Sequence, residues 1–216
     1  MVKPVRTAAE FAARFPVSRE TLERLETFVG LLLKWQASIN LVARSSLDEI
    51  WQRHVLDSAQ LFPLMPQEAT LLVDLGSGGG FPGIVLAILL RDRPGAVVHL
   101  VESDQRKCAF LREAARLTGA PVKVHAERID KFTGHFSEGP ADVVTARALA
   151  PLKELLDWSF PLFGPETIGL FMKGEGVGHE LTEASKYWTL KSVEAQSLSD
   201  PSGTILTVKG LGREPS

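Results

Sequence analysis

The feature that most constrains this fold is an apolar run that breaks into glycines. Residues 71–83 read Leu-Leu-Val-Asp-Leu-Gly-Ser-Gly-Gly-Gly-Phe-Pro-Gly. Glycine is favoured where the backbone turns with positive φ or lies against a ligand with no Cβ in between. Pro82 suits the first turn of a helix, because its missing N–H would have no partner there in any case. The run therefore predicts a strand, a tight ligand-cradling turn and a helix.

Beyond this turn, short apolar runs alternate with amphipathic helical patterns. The runs predicted as strands are 71–75, 97–102, 122–125, 143–146 and 168–172. This alternation is typical of right-handed βαβ units around a buried parallel sheet. The last two runs, 191–196 and 204–209, are joined by a turn-rich link too short for a crossover helix, which predicts an antiparallel hairpin at the sheet edge.

The first part of the chain has helical signals instead. Thr7 with Glu10, and Ser46 with Glu49, each match the capping box. After a predicted cap at Ser18, apolar residues recur at helical spacing at Leu22, Leu25, Val29, Leu32 and Ile39. We therefore expect a helical cap over residues 1–68, a catalytic domain over 69–212, and a frayed end that begins at Gly212 and leaves 213–216 as a tail.

Composition sets limits on location and partners. The longest nearly unbroken apolar run, 83–90, is far shorter than the ~20 residues of a membrane helix, and no signal-peptide pattern opens the chain, so a cytoplasmic location is expected. The single Cys108 predicts neither a disulfide nor a metal site. A net charge of -2 argues against a large nucleic-acid footprint, but an enzyme that reads one nucleotide needs only a local basic patch.

Two cofactor classes use a glycine turn of this kind. Gly78, Gly80 and Gly83 satisfy the G-x-G-x-x-G spacing of dinucleotide sites, and Glu102 follows 102 − 83 = 19 residues later. Asp74 stands two residues before the first glycine, where a carboxylate would repel a pyrophosphate but attract the ammonium of a methionine moiety. We therefore favour S-adenosylmethionine over a nicotinamide cofactor. Two alternatives remain. The first is an NAD-dependent oxidoreductase, and the second is a glycine-rich turn that binds no ligand.

Polar residues at the ends of the next strands fit the nucleoside part of such a cofactor. Glu102 ends the second predicted strand, where an acid accepts hydrogen bonds from both ribose hydroxyls. After the third strand, Ile129 is placed to pack on an adenine ring and Asp130 to accept from its amine. An exposed strand-end carboxylate and a solvated helix-start aspartate are the alternative interpretations.

Further segments make the pattern specific. They are Trp35 with Asn40-Leu41, and the runs 51–58 (Trp-Gln-Arg-His-Val-Leu-Asp-Ser), 74–84, 145–148 (Thr-Ala-Arg-Ala) and 172–174 (Met-Lys-Gly). With them the chain resembles the 16S ribosomal RNA guanine-N7 methyltransferases, also called the glucose-inhibited division protein B family. The resemblance implies a class I methyltransferase fold, Rossmann-like with a seven-stranded, mostly parallel sheet. It also implies methyl transfer from S-adenosylmethionine to N7 of one guanine in the decoding-region loop of small-subunit RNA.

The resemblance also implies site residues. The cofactor contacts it implies are Gly76, Phe81, Glu102, Ser103, Ile129, Asp130 and Arg147, and the glycine turn adds Asp74, Ser77, Gly78 and Gly80. The residues expected to contact RNA are Asn40, Arg44, Arg53, His54, Ser58 and Lys173. The partner would be 16S ribosomal RNA or the small subunit, including an assembly intermediate, with the enzyme acting as a monomer without metal. A non-catalytic RNA binder with the same fold is a further alternative.

The chemistry assigns roles to some of these residues. Guanine N7 has an in-plane lone pair that is unprotonated at neutral pH, so no general base is needed and catalysis rests mainly on alignment. Arg147 is accordingly expected to bind and orient rather than to act as an acid. In the cap, Arg53 and Asp57 at i, i+4 are spaced to pair with each other. Trp35 and Trp51 are predicted to be packing residues.

Overall fold

A computed structural model describes residues 4–214 of the chain. Helices and strands alternate after an all-helical start. The α-helices are α1 (Ala8–Arg14), α2 (Arg19–Gln36), α3 (Asp57–Ala59), α4 (Gly83–Leu89), α5 (Gln105–Thr118), α6 (Ile129–His135), α7 (Leu152–Ser159) and α8 (Val177–Ala184). The strands are β1 (Leu71–Leu75), β2 (Val97–Glu102), β3 (Val122–Ala126), β4 (Val143–Arg147), β5 (Ile168–Lys173), β6 (Trp188–Gln196) and β7 (Thr204–Arg213).

All seven strands form one sheet in the order β3-β2-β1-β4-β5-β7-β6. The first five are parallel to one another, whereas β7 runs antiparallel to both β5 and β6. The predicted α/β class and the terminal hairpin are therefore confirmed. β1 lies at the point where the strand order reverses, and a crevice at the carboxyl ends of the strands is the usual ligand site there.

The cap follows the sequence signals in part. The Thr7–Glu10 capping box and the Ser18 cap are both present. The Ser46–Glu49 box is wrong, because residues 44–49 form a 3₁₀ helix and the Ser46 hydroxyl donates to the Ala43 carbonyl at 2.7 Å. Ile39 lies beyond the end of α2, although it is buried as the helical pattern required.

Aromatic packing fixes the cap to one face of the sheet. Phe28 of α2 lies 5.1 Å from Phe81 of the glycine turn and 6.1 Å from Phe110 of α5, measured between ring centroids. Trp35 also packs on Phe110, and Trp51 packs on Phe11 within the cap. The packing role predicted for both tryptophans is confirmed. The cap, α4 and α5 share one apolar core, so burial of these rings holds the cap beside the turn.

The end of the chain is more ordered than the sequence predicted. Gly212 pairs with Thr189 and Arg213 with Trp188 in the hairpin ladder. The Arg213 guanidinium also lies 4.6 Å from the centre of the Trp188 ring. The predicted fraying is therefore wrong for Gly212 and Arg213, which belong to β7. Residues 215–216 lie outside the described part of the chain. No helix among residues 4–214 is long and apolar enough to cross a membrane.

A histidine pair lies on two neighbouring strands of the sheet. His99 of β2 is fully buried, and its Nδ1 lies 2.9 Å from Nε2 of His125 on β3. Nε2 of His99 is 3.3 Å from Glu138, which also pairs with Lys123 at 2.8 Å. Burial lowers the pKa of His99 to about 4, against the partial opposition of Glu138. His99 is therefore neutral in the folded chain at pH 7.

This pair makes stability depend on pH. In the unfolded chain His99 takes up its proton near pH 6.5, whereas the folded chain resists protonation down to about pH 4. The free energy of unfolding should therefore fall as the pH drops from 7 to 5, by about 2 kcal/mol for this residue. His99→Leu should remove that part of the slope in urea unfolding at the two pH values. His179→Leu, at an exposed site on α8, is the control. Parallel pH dependence in the wild type and His99→Leu would contradict the assignment.

Candidate active site

The turn after β1 has the backbone that its glycines predicted. Gly76, Gly78 and Gly80 have φ values of +68°, +53° and +87°, in the left-handed region that favours glycine. A Cβ on Gly76 would lie 2.5 Å from Cδ1 of Leu149, and one on Gly79 would lie 2.7 Å from the Leu41 carbonyl oxygen. The turn is therefore packed against both the cap and the β4–α7 loop, with no space for a side chain at Gly76 or Gly79.

Two cavities meet at this turn. The larger, about 400 Å³, lies between the turn, the cap and the β6–β7 loop, and Phe81, Arg147 and Lys173 are among its lining residues. The smaller, about 300 Å³, lies beyond the end of β2 and is lined by Glu102, Ser103, Ile129, Asp130 and Trp158, among others. Gly76 and Gly78 line both cavities. An elongated ligand laid across the turn would thus have one end in each cavity.

The smaller cavity holds the residues predicted for a nucleoside. Oε2 of Glu102 accepts from the Gly78 amide at 2.9 Å, and Oε1 accepts from the Asp104 amide at 2.8 Å. These two bonds fix the carboxylate, and each oxygen keeps a lone pair for a further donor such as a ribose hydroxyl. Ile129 is half-buried, while Asp130 is exposed and pairs with Arg128 at 3.1 Å. The sequence did not single out Trp158, an aromatic side chain that lines the same pocket.

Asp74 does not line either cavity. Its side chain is 1% exposed, and Oδ1 accepts from the Thr145 hydroxyl at 2.7 Å. Oδ2 lies beneath the first turn of α4, where a Cβ on Gly83 would be 2.6 Å away. Burial raises the pKa of Asp74 to about 6. The predicted orientation toward the ligand is therefore wrong, and the carboxylate instead occupies the helix start that a pyrophosphate would need.

Arg147 leaves the end of β4 and is held on one side only. Its Nη1 donates to Nδ1 of His54 at 2.9 Å and to the carbonyl of Arg53 at 3.3 Å. The guanidinium carbon lies 5.2 Å from the centre of the Phe81 ring, within cation–π range. Within residues 4–214 no hydrogen bond engages Nε or Nη2, so three of the five N–H donors remain available in the larger cavity.

His54 serves Arg147 as a neutral acceptor. The Ser46 hydroxyl donates to Ala43, so at 2.7 Å it accepts from Nε2–H of His54, which leaves Nδ1 as the acceptor for Arg147. Burial lowers the pKa of His54 to about 3, and the charges of Arg147 and Arg53 act in the same direction. His54 is 8% exposed and lines the larger cavity, where it positions Arg147, and its predicted RNA contact stays a prediction.

The other residues predicted to contact RNA fall into two groups. Ser58 is fully buried with its hydroxyl donated to the His54 carbonyl, and Lys173 is 9% exposed and tied to Glu180 at 2.7 Å and to the Ala150 carbonyl. An RNA contact by the buried Ser58 is therefore wrong, whereas Lys173 lines the larger cavity and its RNA contact stays a prediction. Asn40, Arg44 and Arg53 are exposed on the cap. Arg53 lines the larger cavity, while Asn40 and Arg44 line a shallow cleft next to it.

Asp57 has contacts that the sequence did not predict. Its carboxylate does not pair with Arg53, whose Nη1 instead lies 4.0 Å from Oε2 of Glu49. Oδ1 of Asp57 accepts from Gln60 at 2.7 Å, from Ser197 at 2.9 Å and from Ser199. These bonds attach the β6–β7 loop to the cap and close one wall of the larger cavity. No local signal predicts them, because the loop is about 140 residues away in sequence.

The strand order, the antiparallel β7 and a ligand-cradling turn at the end of β1 together define a class I methyltransferase. A family model described as "GidB: rRNA small subunit methyltransferase G" matches residues 21–209. The chain belongs to this family, which confirms the resemblance seen in the sequence. With the family come the class of enzyme and its methyl donor, S-adenosylmethionine. The nicotinamide alternative is thereby wrong.

Individual proteins agree with this membership. The chain is 59% identical over 201 residues to a "Ribosomal RNA small subunit methyltransferase G" from Parvibaculum lavamentivorans, covering 93% of this chain and 88% of the relative. It is 53% identical to the protein of the same name from Rhodospirillum centenum, covering 94% and 91%. An O-methyltransferase from Bacillus cereus, solved in complex with SAH, shares the fold with a TM-score of 0.61 at 14% identity, covering 95% of this chain and 98% of that one.

Proposed function

We propose that this chain transfers a methyl group from S-adenosylmethionine to N7 of a guanine in the decoding-region loop of 16S ribosomal RNA. The observation that carries the proposal is the pair of cavities that meet at the glycine turn, with a half-free arginine in the larger one. The names of the curated relatives agree with a substrate in small-subunit RNA.

The residues present fit the methyl donor. Positive φ values and close packing at Gly76 leave a side-chain-free cradle between the cavities. Glu102, Ser103, Ile129 and Asp130 would hold its nucleoside part, while Gly76, Ser77, Gly78 and Phe81 would lie along its methionine part. When bound, this cofactor supplies an electrophilic methyl carbon on a positively charged sulfur.

The chain's own residues bind and orient the base. Guanine N7 needs no proton removed, so the site requires no general base near it. The free donors of Arg147 can reach guanine O6, next to N7, and hold the base at the glycine turn. Because transfer leaves positive charge on the base, a further cation beside it would slow the reaction. His54, with its pKa near 3, is neutral and adds none.

The cap is the element we assign to the RNA. Its exposed Asn40, Arg44 and Arg53 stand beside the mouth of the larger cavity, where phosphates and sugars flanking the target base would lie. The substrate would be the small subunit or an assembly intermediate, and the enzyme would act as a monomer in the cytoplasm, where these particles are made. Among residues 4–214, no group of three or more His, Cys, Asp or Glu is placed to hold a metal ion.

The proposal is tested by following the methyl group. The purified protein is incubated with methyl-labelled S-adenosylmethionine and with small subunits, assembly intermediates or naked 16S RNA from cells that lack the enzyme. We expect N7-methylguanine at one position, mapped by chemical strand scission. Label at another base or atom would contradict the proposal. No incorporation into any of the three RNAs, with cofactor binding intact, would favour the non-catalytic RNA binder.

A further inference from the structure

Asp57 is a carboxylate with one oxygen held and the other free. Three donors, from Gln60, Ser197 and Ser199, converge on Oδ1. Within the described chain no hydrogen bond reaches Oδ2, which lies 3.9 Å from Nη1 of Arg147. The side chain is 14% exposed and lines the larger cavity. Oδ2 therefore keeps its lone pairs for a hydrogen-bond donor on a ligand in the cavity.

Arg147 lines the same cavity and contributes hydrogen-bond donors next to the Asp57 acceptor. Its Nη1 is occupied by His54 and by the Arg53 carbonyl, which orients the guanidinium, while Nε and Nη2 are free. The cavity therefore displays hydrogen-bond donors and a carboxylate acceptor side by side. Each is positioned by contacts on its far side: Asp57 by the β6–β7 loop and Arg147 by the cap.

Guanine carries the matching pattern on neighbouring ring positions, with the acceptor O6 beside the donor N1–H. Adenine has the reverse pattern, a donor amine at position 6 and an acceptor at N1, although its N7 is equally available. We propose that Asp57 and Arg147 together select guanine: Arg147 donates to O6 and Oδ2 of Asp57 accepts from N1–H. The inference rests on the proposed function and assigns its base specificity to a residue that the sequence did not place in the site.

The pair also explains why the β6–β7 loop is fastened to the cap. The three donors on Oδ1 fix the carboxylate with Oδ2 left over. An adenine in the same place would set two donors against each other at Arg147 and two lone pairs against each other at Asp57. A site that hydrogen-bonds its substrate rejects an analogue strongly because the analogue leaves these polar groups unpaired.

The sharpest variant is Asp57→Asn. Since Gln60, Ser197 and Ser199 all donate, the asparagine oxygen should face them and its amide should replace Oδ2 in the cavity. The acceptor for N1–H then becomes a donor, while the loop contacts remain. With enzyme in excess over small subunits, we expect the rate constant for N7 methylation to fall at least tenfold. The dissociation constant for S-adenosylmethionine and the melting temperature should stay close to those of the wild type.

Two controls separate base selection from other roles of Asp57. Asp200→Asn removes the same charge from the wall of the same cavity, at a carboxylate whose Oδ1 is engaged by Ser202. The double variant Ser197→Ala/Ser199→Ala loosens the loop but keeps the Asp57 carboxylate. Asp200→Asn should retain at least a third of the wild-type rate constant. The double variant, in which Gln60 still donates to Oδ1 of Asp57, should lose clearly less than Asp57→Asn.

The outcomes decide the matter. A loss of less than tenfold in Asp57→Asn would overturn the proposal. An equal loss in Asp200→Asn would overturn it by pointing to the charge of the cavity, and an equal loss in the double variant by pointing to loop attachment. A clear drop in the cofactor affinity or the melting temperature of Asp57→Asn would also overturn it. Failure of the proposed function itself looks different, because the wild-type protein would then give no N7-methylguanine at all.

Discussion

We expect Gly76→Val to weaken the binding of S-adenosylmethionine, raising the dissociation constant at least a hundredfold. Gly76 lines both cavities at their junction, so any side chain there enters the path of a ligand that spans them. Its Cβ would also lie 2.5 Å from Leu149, and its φ of +68° is unfavourable for a β-branched residue. Isothermal titration calorimetry measures the loss directly.

Backbone strain alone does not account for this effect, and the chain offers a matched control. Gly95 has a φ of +76° in the turn before β2, but a Cβ added there would meet nothing within 4 Å, and it lines neither cavity. Gly95→Val should therefore show only the strain, about 1–2 kcal/mol in the free energy of unfolding, with cofactor affinity unchanged. Unchanged affinity in Gly76→Val, or equal loss in both variants, would show that the cofactor does not cross the turn.

Local patterns were enough to predict most of the fold. The five parallel strands, the hairpin and the glycine turn follow from apolar periodicity and turn residues, which act over a few positions. The capping boxes show the limit of such signals. Thr7 forms one, whereas Ser46 has the same spacing but its hydroxyl bonds Ala43 and His54 instead. A local motif fails where a tertiary contact competes for the same side chain.

The site was predicted less completely, because its arrangement depends on distant contacts. Glu102 ends β2 and lines the smaller cavity, as its strand-end position predicted, and its contact with a ribose stays a prediction. Asp74 was assigned to the cofactor from its position too, but it is buried beneath the glycine turn and bonded by the Thr145 hydroxyl. His54 and Arg147 are 93 positions apart, and Asp57 and Ser197 are 140 apart. Their pairing depends on how the cap and the hairpin pack on the sheet, which no short pattern encodes.

Arg147→Ala should reduce the rate constant for methylation by about 10²-fold, because a base misplaced by about 1 Å loses its alignment with the methyl group. The free Nε and Nη2 groups are the donors that would hold guanine O6. Arg147→Lys should restore little of the rate constant. An ammonium keeps the charge, but it lacks the planar set of donors with which a guanidinium can hydrogen-bond to His54 and the base at once. Single-turnover assays on small subunits, with the cofactor saturating, measure these rate constants.

Arg53→Ala is the comparison that separates orientation of the base from attraction to RNA. Arg53 lines the same cavity, but its side chain is 45% exposed and its ion-pair distance to Glu49 is 4.0 Å. If it meets a phosphate, its loss should weaken subunit binding and reduce the slope of log affinity against log salt by about one, with the rate constant at saturation preserved. Arg147→Ala should do the opposite, lowering the saturated rate constant with little change in the salt slope. A salt-dependent binding defect alone in Arg147→Ala would make it another phosphate contact, and the base would then be oriented by other groups.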